Sequence, residues 1–351
     1  MEHILHKTLI IRFSSVGDIV LSSPLVRTLR RRFPECQIDF LVKAEYAELV
    51  RHSPFLTRVI EFPAGGTFRD ILHLRRTLRA EGYDRILDIH DSLRSRVLSF
   101  AARGVVRVRK RKIARSVLIA FKRDMYRFFG GAPSVAQRYL ETVQPDGVTD
   151  DGEGLDLFLP ADASEKPDHL LRKARIPKSG PVIGLCPSAR HATKIWPAER
   201  YAGLALGLIR ERGAAILLLG ADEDREPCDK VLREIRSGAS DASVVNLAGL
   251  LTLSETAAAL DRCALVVTND SGLMHIAAAR KRKVLAIFGS TVRQLGFFPF
   301  GTLSEVAEHP NLHCRPCSHI GLPACPKGHF KCMLEIGVDP VLAAARRLLA
   351  S

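Results

Sequence analysis

The sequence predicts an α/β protein made of two domains, each with a doubly wound parallel sheet. Three observations lead to this prediction. The chain has 351 residues, short apolar runs alternate with helical patterns along it, and a polar stretch divides this alternation into two series. A chain of this length is enough for two domains of ordinary size. Strands that alternate with helices favour parallel sheets that carry helices on both faces.

The first series of elements occupies residues 8–102. Strands are predicted where short apolar or β-branched runs end in polar or turn residues, and helices where apolar residues recur at helical spacing. The predicted strands are 8–13, 37–42, 58–62 and 85–89. The predicted helices are 19–33, 44–52, 68–81 and 92–102.

A polar, acidic and proline-containing stretch at 144–156 separates the second series from the first. The predicted strands of this series are 181–186, 214–219, 244–247, 265–267 and 284–288. The predicted helices are 197–212, 225–236, 253–262, 273–279 and a terminal helix at 340–350. We therefore predict an N-terminal domain at 1–175 and a C-terminal domain at 176–351, with a cleft between the carboxyl edges of their sheets.

The composition is that of a globular protein with a full core, because 46% of the residues are hydrophobic and 26% are charged. No apolar run approaches the length of a membrane-spanning helix, and the first six residues lack the features of a signal peptide. We therefore expect a cytoplasmic protein.

The net charge of +14 predicts a polyanionic partner, which is nucleic acid, anionic lipid or a phosphorylated substrate. Aromatic residues make up only 6% of the chain, and no nucleic-acid-binding pattern is evident, so a nucleic-acid partner is not expected. The basic residues are densest at 103–127, where Asp124 is the only acid and apolar residues interleave. Such a segment resembles a membrane-surface element. The alternative is a solvated helix flank.

Four of the eight cysteines crowd the C-terminal segment 313–332, near three histidines. Cys314 and Cys317 form a C-x-x-C pair, and Cys325 and Cys332 follow. This chemistry is typical of zinc ligands, although the spacing matches no standard ribbon. Two interpretations stay open: a structural zinc site, or reduced thiols in a redox-labile loop. The other four cysteines are scattered among apolar or helical residues and are expected to be reduced.

The first motif that can carry chemistry is 14–18, directly after the first predicted strand. Gly17 permits close approach of a backbone, and Asp18 lies at a helix start, at the edge where α/β sheets bind ligands. A helix cap explains the same residues without any ligand. Neither a dinucleotide fingerprint nor a phosphate-binding loop with its lysine is present, which argues against nicotinamide enzymes and NTPases.

Two further motifs follow strands of the second series. Residues 187–197 bring hydroxyls, Arg190 and Lys194 to a strand end, where the cations can neutralise a diphosphate. A helix start with solvated cations is the structural alternative. Residues 218–224 end a strand in glycine and acids, and a carboxylate there can bind ribose hydroxyls or simply begin a helix.

The fourth motif, 266–290, reads as strand, polar turn, helix and strand. Asn269, Asp270, Ser271 and Gly272 form the turn and supply residue types that begin helices. A helix start at the carboxyl end of a strand presents N–H groups and a positive dipole end, which favour phosphate. An ordinary capped helix explains the turn equally well.

Four segments together resemble the ADP-heptose:lipopolysaccharide heptosyltransferases, which are inverting glycosyltransferases of the GT-B fold. In order along the chain they are IIRFSSVGDIVLSSPLVRTLR, PSARHATKIWP, LLLGADEDRE and VVTNDSGLMHIAAA. The resemblance covers nearly the whole chain and implies two Rossmann-like domains that face each other across a cleft. The loop before Lys194 and the cysteine cluster depart from much of the family.

The resemblance also implies roles for individual residues. Asp18 would be the general base for the acceptor hydroxyl, and Lys194 would stabilise the departing diphosphate. Asp270 would hold hydroxyls of the donor sugar, and Arg12 would face the acceptor. The remaining donor-binding positions implied are Ser188 or Thr193, Asp222 or Glu223, the N–H groups of Ser271, Gly272 and Leu273, and His275.

With this family, the expected reaction moves a heptose from ADP-heptose to the inner core of lipopolysaccharide, without a divalent metal. The acceptor is a phosphorylated, lipid A-linked saccharide, which we expect Arg109, Lys110, Arg111 and Lys112 to bind at the anionic inner membrane surface. One alternative is a GT-B enzyme that uses a UDP- or GDP-sugar in O-antigen or capsule synthesis. Another, from a different class, is a basic nucleic-acid-binding protein.

Overall fold

The computed structural model describes residues 5–177 and 180–351. It divides into two compact units, each built on one parallel sheet. The first unit comprises Met1–Lys110 and Val135–Phe158, and the second comprises Arg111–Ser134 and Leu159–Ser351. The predicted fold class, with two parallel-sheet α/β domains, is therefore confirmed.

The sheet of the first unit has five parallel strands in the order β3-β2-β1-β4-β5. Its strands are β1 (Lys7–Ile11), β2 (Gln37–Lys43), β3 (Arg58–Phe62), β4 (Arg85–Asp88) and β5 (Val105–Arg107). Its helices are α1 (Val16–Val20), α2 (Ser23–Arg32), α3 (Glu48–Arg51), α4 (Phe68–Ala80), α5 (Leu93–Leu98) and, after α6 (Lys112–Phe121) of the second unit, α7 (Val135–Leu140). The strand order reverses between β1 and β4, and this reversal is the switch point of a doubly wound sheet.

The single helix predicted at 19–33 is two helices, α1 and α2. Pro24 lies in the first turn of α2, where its missing N–H costs no helical hydrogen bond. A new helix therefore begins at Ser23, and Asp18 lies on the separate short helix α1.

The sheet of the second unit has six parallel strands in the order β11-β10-β9-β6-β7-β8. Its strands are β6 (Val182–Cys186), β7 (Ala215–Leu218), β8 (Val244–Asn246), β9 (Leu265–Asn269), β10 (Val284–Phe288) and β11 (Ser304–Glu308). Its helices are α6 (Lys112–Phe121), α8 (Glu165–Lys173), α9 (Ala198–Arg212), α10 (Arg225–Gly238), α11 (Leu253–Leu260), α12 (Gly272–Ala279), α13 (Lys331–Leu334) and α14 (Val338–Ala350). This is the strand order of dinucleotide-binding folds, and its switch point lies between β6 and β9.

The division of the chain differs from the predicted domain boundary at residue 175. The segments 111–134 and 159–175 group with the second unit. Helix α6 buries Leu118 in a small cluster with Leu295, and Asp168 of α8 pairs with Arg262 at 2.6 Å. The residues that form each of these contacts lie far apart in the sequence, so the composition of the stretch at 144–156 does not reveal the contacts.

Each unit has its own apolar core, and these cores fix the ends of the central strands. In the first unit, Leu9, Ile11 and Phe62 are buried between the sheet and its helices. In the second unit the only tryptophan, Trp196, is fully buried, and its indole N–H donates to the carbonyl of Ile336 at 2.9 Å. A rigid scaffold of this kind positions the loops that carry functional side chains.

Candidate active site

The polar motifs of the sequence lie at the switch points of the two sheets. In the first unit, the segment with Asp18 follows β1, and β1 pairs with β4. In the second unit, Lys194 follows β6 and Asp270 follows β9, and these strands pair with each other. Ligands of doubly wound sheets bind outside the carboxyl ends of the strands at this point. Each unit therefore has one candidate site of its own.

Three side chains hold the carboxylate of Asp18 in the first unit. The guanidinium Nη2 of Arg12 lies 2.6 Å from Asp18 Oδ2, and the Ser15 hydroxyl donates to the same oxygen at 3.2 Å. The Tyr139 hydroxyl donates to Asp18 Oδ1 at 3.1 Å. Asp18 is thus oriented by partners from the loop directly after β1, from its own helix start and from α7.

These partners also determine the charge of Asp18. Burial alone raises the pKa of this carboxyl, but the positive charge of Arg12 and the hydrogen bonds from Tyr139 and Ser15 outweigh it. The resulting pKa is below the ordinary value for aspartate. The carboxylate is therefore ionised at neutral pH, which is the state a general base requires.

Arg12 is buried, and its side chain is occupied within the first unit. Besides the ion pair with Asp18, its Nη1 donates to the carbonyl of Ile89 at 2.8 Å, and its guanidinium lies 5.7 Å from the centre of the Tyr139 ring. Arg12 therefore joins the loops that follow β1 and β4 and holds Asp18. A contact from Arg12 to an acceptor stays a prediction.

Sequence reasoning missed His90, which follows β4 at the same switch point. The Asp88 carboxylate accepts the backbone N–H groups of His90 and Asp91 at 3.2 and 2.8 Å, and Lys110 Nζ donates to the carbonyls of both residues. Burial, together with the charges of Arg12 and Lys110, lowers the pKa of His90 to about 4. His90 is therefore neutral at physiological pH. His90 directly follows the predicted strand 85–89, and this position was the signal in the sequence that could have identified it.

Lys194 and Asp270 form the central pair of the second unit. Lys194 Nζ lies 2.7 Å from Asp270 Oδ2, and both side chains are largely buried. The Thr291 hydroxyl, just after β10, donates to the same carboxylate oxygen at 2.7 Å. The structure thus brings together two residues that the sequence places in separate motifs.

Hydrogen bonds to the Cys-rich segment hold the loop that carries Lys194. The buried Thr193 hydroxyl accepts from the backbone N–H of Leu322 at 2.8 Å and from the Ser290 hydroxyl at 3.0 Å. A Cβ atom at Gly289 would lie 2.8 Å from the carbonyl oxygen of Thr193, so only glycine permits this approach. Thr193 is therefore a structural anchor of the loop, and its predicted contact with a donor stays a prediction.

The acids after β7 separate into exposed and partly buried positions. Asp222 is 83% exposed and pairs with Arg225 at 3.2 Å, and Glu223 is also exposed. Asp224 instead accepts the backbone N–H of Ala221 at 2.9 Å, and burial raises its pKa. Ser188, after β6, is buried. Only Asp222 and Glu223 have the exposure that binding a nucleoside at the surface requires.

Helix α12 begins at Gly272, two residues after Asp270. Ser271 is its N-cap residue, and Ser271, Gly272 and Leu273 are all partly exposed. The first N–H groups of a helix have no partner within the helix and attract anions. His275 lies further along α12 and is buried, with its ring 6.4 Å from that of Phe297. Its position favours a role in holding the helix rather than direct contact at the surface.

The four basic residues predicted to bind the acceptor lie where the chain passes from the first unit to the second. Arg109 and Lys112 are exposed. Lys110 binds the carbonyls of the His90 loop, as described above, and Arg111 donates to the carbonyl of Gly131 at 3.0 Å. Large apolar side chains are exposed further along the second unit's part of this segment: Ile113, Phe121 and Phe128 are 78%, 71% and 68% exposed.

The cysteines of the C-terminal segment are free thiols. Cys314 Sγ lies 3.8 Å from His329 Nε2, and the backbone N–H of Phe330 donates to Cys325 Sγ at 3.4 Å. Burial, reinforced by the neighbouring cysteines, raises the pKa of Cys317 and raises that of Cys332 to about 11. Within residues 5–177 and 180–351, no group of three or more histidine, cysteine or acidic side chains is arranged to hold a metal ion.

Among the helices of the described residues, none combines the length and the apolar character needed to cross a bilayer.

Comparison with known proteins identifies relatives for both units. The model of glycosyltransferase family 9 (heptosyltransferase) matches residues 71–324. The chain is 34% identical to lipooligosaccharide heptosyltransferase 2 of Haemophilus influenzae over 300 residues, which cover 82% of this chain and 84% of the relative.

Two solved structures are also similar. The structure of Escherichia coli ADP-heptose lps heptosyltransferase II is 26% identical, has a TM-score of 0.73 and covers 98% of each chain. A glycosyltransferase family 9 protein from Veillonella parvula is 19% identical, has a TM-score of 0.82, and covers 100% of this chain and 99% of its own. The predicted GT-B fold class is confirmed by these matches.

Proposed function

The chain belongs to glycosyltransferase family 9, the heptosyltransferases, and from that premise we propose that it transfers a heptose from ADP-heptose to the inner core of lipopolysaccharide. The observation that carries the proposal is the chemistry at the two switch points. The first unit has an ionised carboxylate, Asp18, and the second has the pair of Lys194 and Asp270. One unit thus supplies a base, and the other supplies a cation for a leaving diphosphate.

In the proposed reaction, Asp18 removes the proton from a hydroxyl of the acceptor saccharide. The hydroxyl oxygen bonds to the anomeric carbon of heptose as the bond from that carbon to the diphosphate breaks. The electron pair of that bond leaves with ADP, and the carbon is inverted in a single displacement. No covalent intermediate on the enzyme is needed, because Asp18 acts only as a base.

The charge that develops on the departing diphosphate needs fixed positive groups nearby. In this proposal Lys194 and the N–H groups of Ser271, Gly272 and Leu273 supply them, because a lysine and a helix start both favour phosphate oxygens. Asp270 holds Lys194 in place and binds a hydroxyl of the donor sugar through its free acceptor positions. Transfer then requires no metal ion for the diphosphate.

The remaining donor residues act in two ways. Asp222 or Glu223 binds the nucleoside, which their exposure supports. Ser188, Thr193 and His275 are buried, so we assign them to holding the donor loops in position. This division predicts that substitutions at Asp222 change nucleotide affinity more than they change stability.

The donor can be tested by calorimetry with ADP, UDP and GDP, followed by transfer assays with ADP-heptose and a panel of truncated lipopolysaccharide cores. We expect ADP to bind most tightly, and the product mass to increase by one heptose. Selective binding of UDP or GDP would instead favour a transferase of O-antigen or capsule synthesis. Retention on DNA without any sugar transfer would favour nucleic-acid binding.

We also propose that the protein is cytoplasmic and binds the anionic inner membrane surface, where the phosphorylated, lipid A-linked acceptor lies. Exposed cations at Arg109 and Lys112 and the exposed apolar residue Ile113 support this proposal, because such surfaces bind anionic bilayers. Lys110 and Arg111 bind backbone carbonyls, so neutralising them would also disturb loops.

The membrane proposal is therefore tested with the double substitution of Arg109→Gln and Lys112→Gln. We expect weaker sedimentation with vesicles that contain phosphatidylglycerol and no change with neutral phosphatidylcholine vesicles. Arg233→Gln and Arg236→Gln, both on the exposed part of α10, are the matched control. Unchanged binding in the first variant, or equal loss in both, would contradict the proposal.

A structural zinc ion at Cys314, Cys317, Cys325 and Cys332 stays a prediction. The measurement is zinc per chain in protein purified without chelators. Less than about a tenth of an equivalent, together with reactive thiols at the partly exposed Cys314, Cys317 and Cys325 in the folded protein, would favour the reduced-thiol alternative.

A further inference from the structure

Tyr139 is a buried residue of α7 whose hydroxyl contacts the carboxylate proposed as the base. It donates to Asp18 Oδ1 at 3.1 Å, and its side chain is almost fully enclosed. Val135, Ala136 and Leu140 of the same helix are also buried, so α7 holds the tyrosine in a fixed place. Sequence reasoning gives no signal for this contact, because 121 residues separate the partners.

The two oxygens of the Asp18 carboxylate differ in the described side chains that contact them. Oδ2 accepts from Arg12 Nη2 and from the Ser15 hydroxyl, whereas Oδ1 accepts from the Tyr139 hydroxyl. Each carboxylate oxygen has two lone-pair positions. These side-chain contacts take both positions of Oδ2 and one of the two positions of Oδ1, so the position open to an acceptor hydroxyl is on Oδ1.

We propose that Tyr139 is a positioning residue for the base, and that Oδ1 of Asp18 is the atom that takes the acceptor's proton. This inference rests on the proposed function. The O–H bond of the acceptor hydroxyl breaks as an Oδ1–H bond forms, and the acceptor oxygen bonds to the anomeric carbon. The carbon's bond to the diphosphate breaks, and its electron pair leaves with ADP. The Tyr139 hydroxyl fixes the direction of the open position on Oδ1.

Tyr139 keeps its proton throughout this step. Burial raises its pKa, and the negative charge of Asp18 and the hydrogen bond to it act in the same direction, against the opposing charges of Arg12 and Arg138. The charged or titratable groups that face Asp18 are Arg12, Tyr139 and His90. His90 is neutral at physiological pH, so Arg12 is the cation that acts on Asp18 there.

The test is Tyr139→Phe, which keeps the ring and removes only the donor. Because one of the bonds that lower the pKa of Asp18 is lost, we expect this carboxyl to titrate at higher pH in 13C NMR, with Asp18→Asn as the assignment control. We expect kcat to fall about tenfold at pH 7 because the base is less well oriented, with an unchanged Kd for ADP. A higher pKa makes Asp18 a stronger base, so a purely electrostatic effect would not slow the reaction. A higher pKa of Asp18 together with a lower kcat therefore indicates that Tyr139 acts by positioning.

Tyr83→Phe is the matched control, since Tyr83 is a buried tyrosine of the same unit whose hydroxyl donates to a different carboxylate, Asp39, at 2.6 Å. It should lower stability without moving the titration of Asp18 or kcat. The inference is overturned if Tyr139→Phe leaves the Asp18 titration unchanged, if that titration moves but kcat does not, or if both variants lower kcat equally. If the wild type transfers no heptose, the proposed function fails, while the titration of Asp18 still reports on Tyr139.

Discussion

Lys194 Nζ and Asp270 Oδ2 lie 2.7 Å apart, although 76 residues separate the two in the sequence (270 − 194). The pair forms because β6 and β9 are neighbours in the sheet, so the loops that follow them meet at the switch point. In the absence of a ligand, Asp270 neutralises a lysine that would otherwise be a largely buried, unpaired cation. In the proposed reaction, the diphosphate of the donor shares this lysine with Asp270.

Lys194→Ala should weaken donor binding and slow transfer together. A hydrogen bond from a charged group contributes about 1.5–3 kcal/mol, so we expect the Kd for ADP to rise by about tenfold to a hundredfold. The unpaired Asp270 carboxylate adds repulsion in the same direction. Lys230→Ala is the control, because Lys230 forms an exposed ion pair with Glu199 on the same unit. An unchanged Kd in Lys194→Ala would exclude a role for this lysine in binding the diphosphate.

Asp18→Asn should abolish turnover while leaving the Kd for ADP within about threefold. The amide has nearly the same shape but cannot accept a proton, and loss of a general base costs about a hundredfold to ten-thousandfold in rate. Asp70→Asn, at the exposed start of α4 in the same unit, should retain activity. Thermal unfolding is measured in parallel, because Asp18→Asn leaves the buried Arg12 without its carboxylate. Activity comparable to wild type in a folded Asp18→Asn protein would remove Asp18 as the base.

His90 should make the protein less stable as the pH falls between about 6.5 and 4. Its folded pKa is about 4, lowered mainly by burial and by the charges of Arg12 and Lys110, whereas an unfolded histidine titrates near 6.5. The unfolded chain therefore binds a proton in this window before the folded protein does. The free energy of unfolding should decrease by at most about 1.4 kcal/mol per pH unit from this group.

His90→Gln should flatten this dependence when unfolding by urea is measured from pH 7 to pH 4. His73→Gln, at an exposed position of α4, is the control and should keep the wild-type slope. If His90→Gln has the wild-type slope as well, other groups account for the loss of stability in acid.

Features of the fold that depend on local sequence patterns could be predicted from the sequence alone. Apolar runs that end in polar turns located β1, β6 and β9, and the residues after them include Asp18, Lys194 and Asp270. The short edge strands β5 and β11 were missed, because β5 lies in a basic segment and β11 contains two glutamates. These two edge strands lack a clear apolar pattern, whereas the edge strands β3 and β8 have one and were predicted.

The partners of Asp18 were beyond sequence reasoning for a different reason. Tyr139 and His90 reach the site through helix packing and strand order, and neither belongs to a motif of fixed spacing. Arg12 was predicted to face the acceptor, which stays a prediction, and the sequence did not show that its side chain holds Asp18 and the Ile89 carbonyl. A buried arginine forms such contacts because its charge must be paired, and no local pattern shows which partner is available.

Arg27 should be essential for the stability of the first unit, although the stretch it binds looks like a linker in the sequence. Its buried guanidinium donates to Asp151 at 2.6 and 2.8 Å, to the Gly154 carbonyl at 2.9 Å and to Asp156. Arg27→Met keeps much of the volume but leaves the two carboxylates without this partner. Breaking a buried ion pair in this way costs about 3–5 kcal/mol in the free energy of unfolding.

Arg31→Met is the matched control, because Arg31 also pairs with Asp151, and in addition with Glu153, but its side chain is 47% exposed. Surface ion pairs of this kind contribute about 0–1 kcal/mol to the free energy of unfolding. The difference between the variants should depend on pH. The hydrogen bond from Arg27 is the main cause that lowers the pKa of Asp151 to about 2, so this pair stabilises the fold above the ordinary aspartate pKa and is lost as the pH falls toward 2. Urea unfolding followed by circular dichroism at pH 7 and pH 4 should show a large deficit for Arg27→Met that starts to shrink at pH 4. Equal, small effects of both substitutions would mean that the segment after residue 150 is held by other contacts.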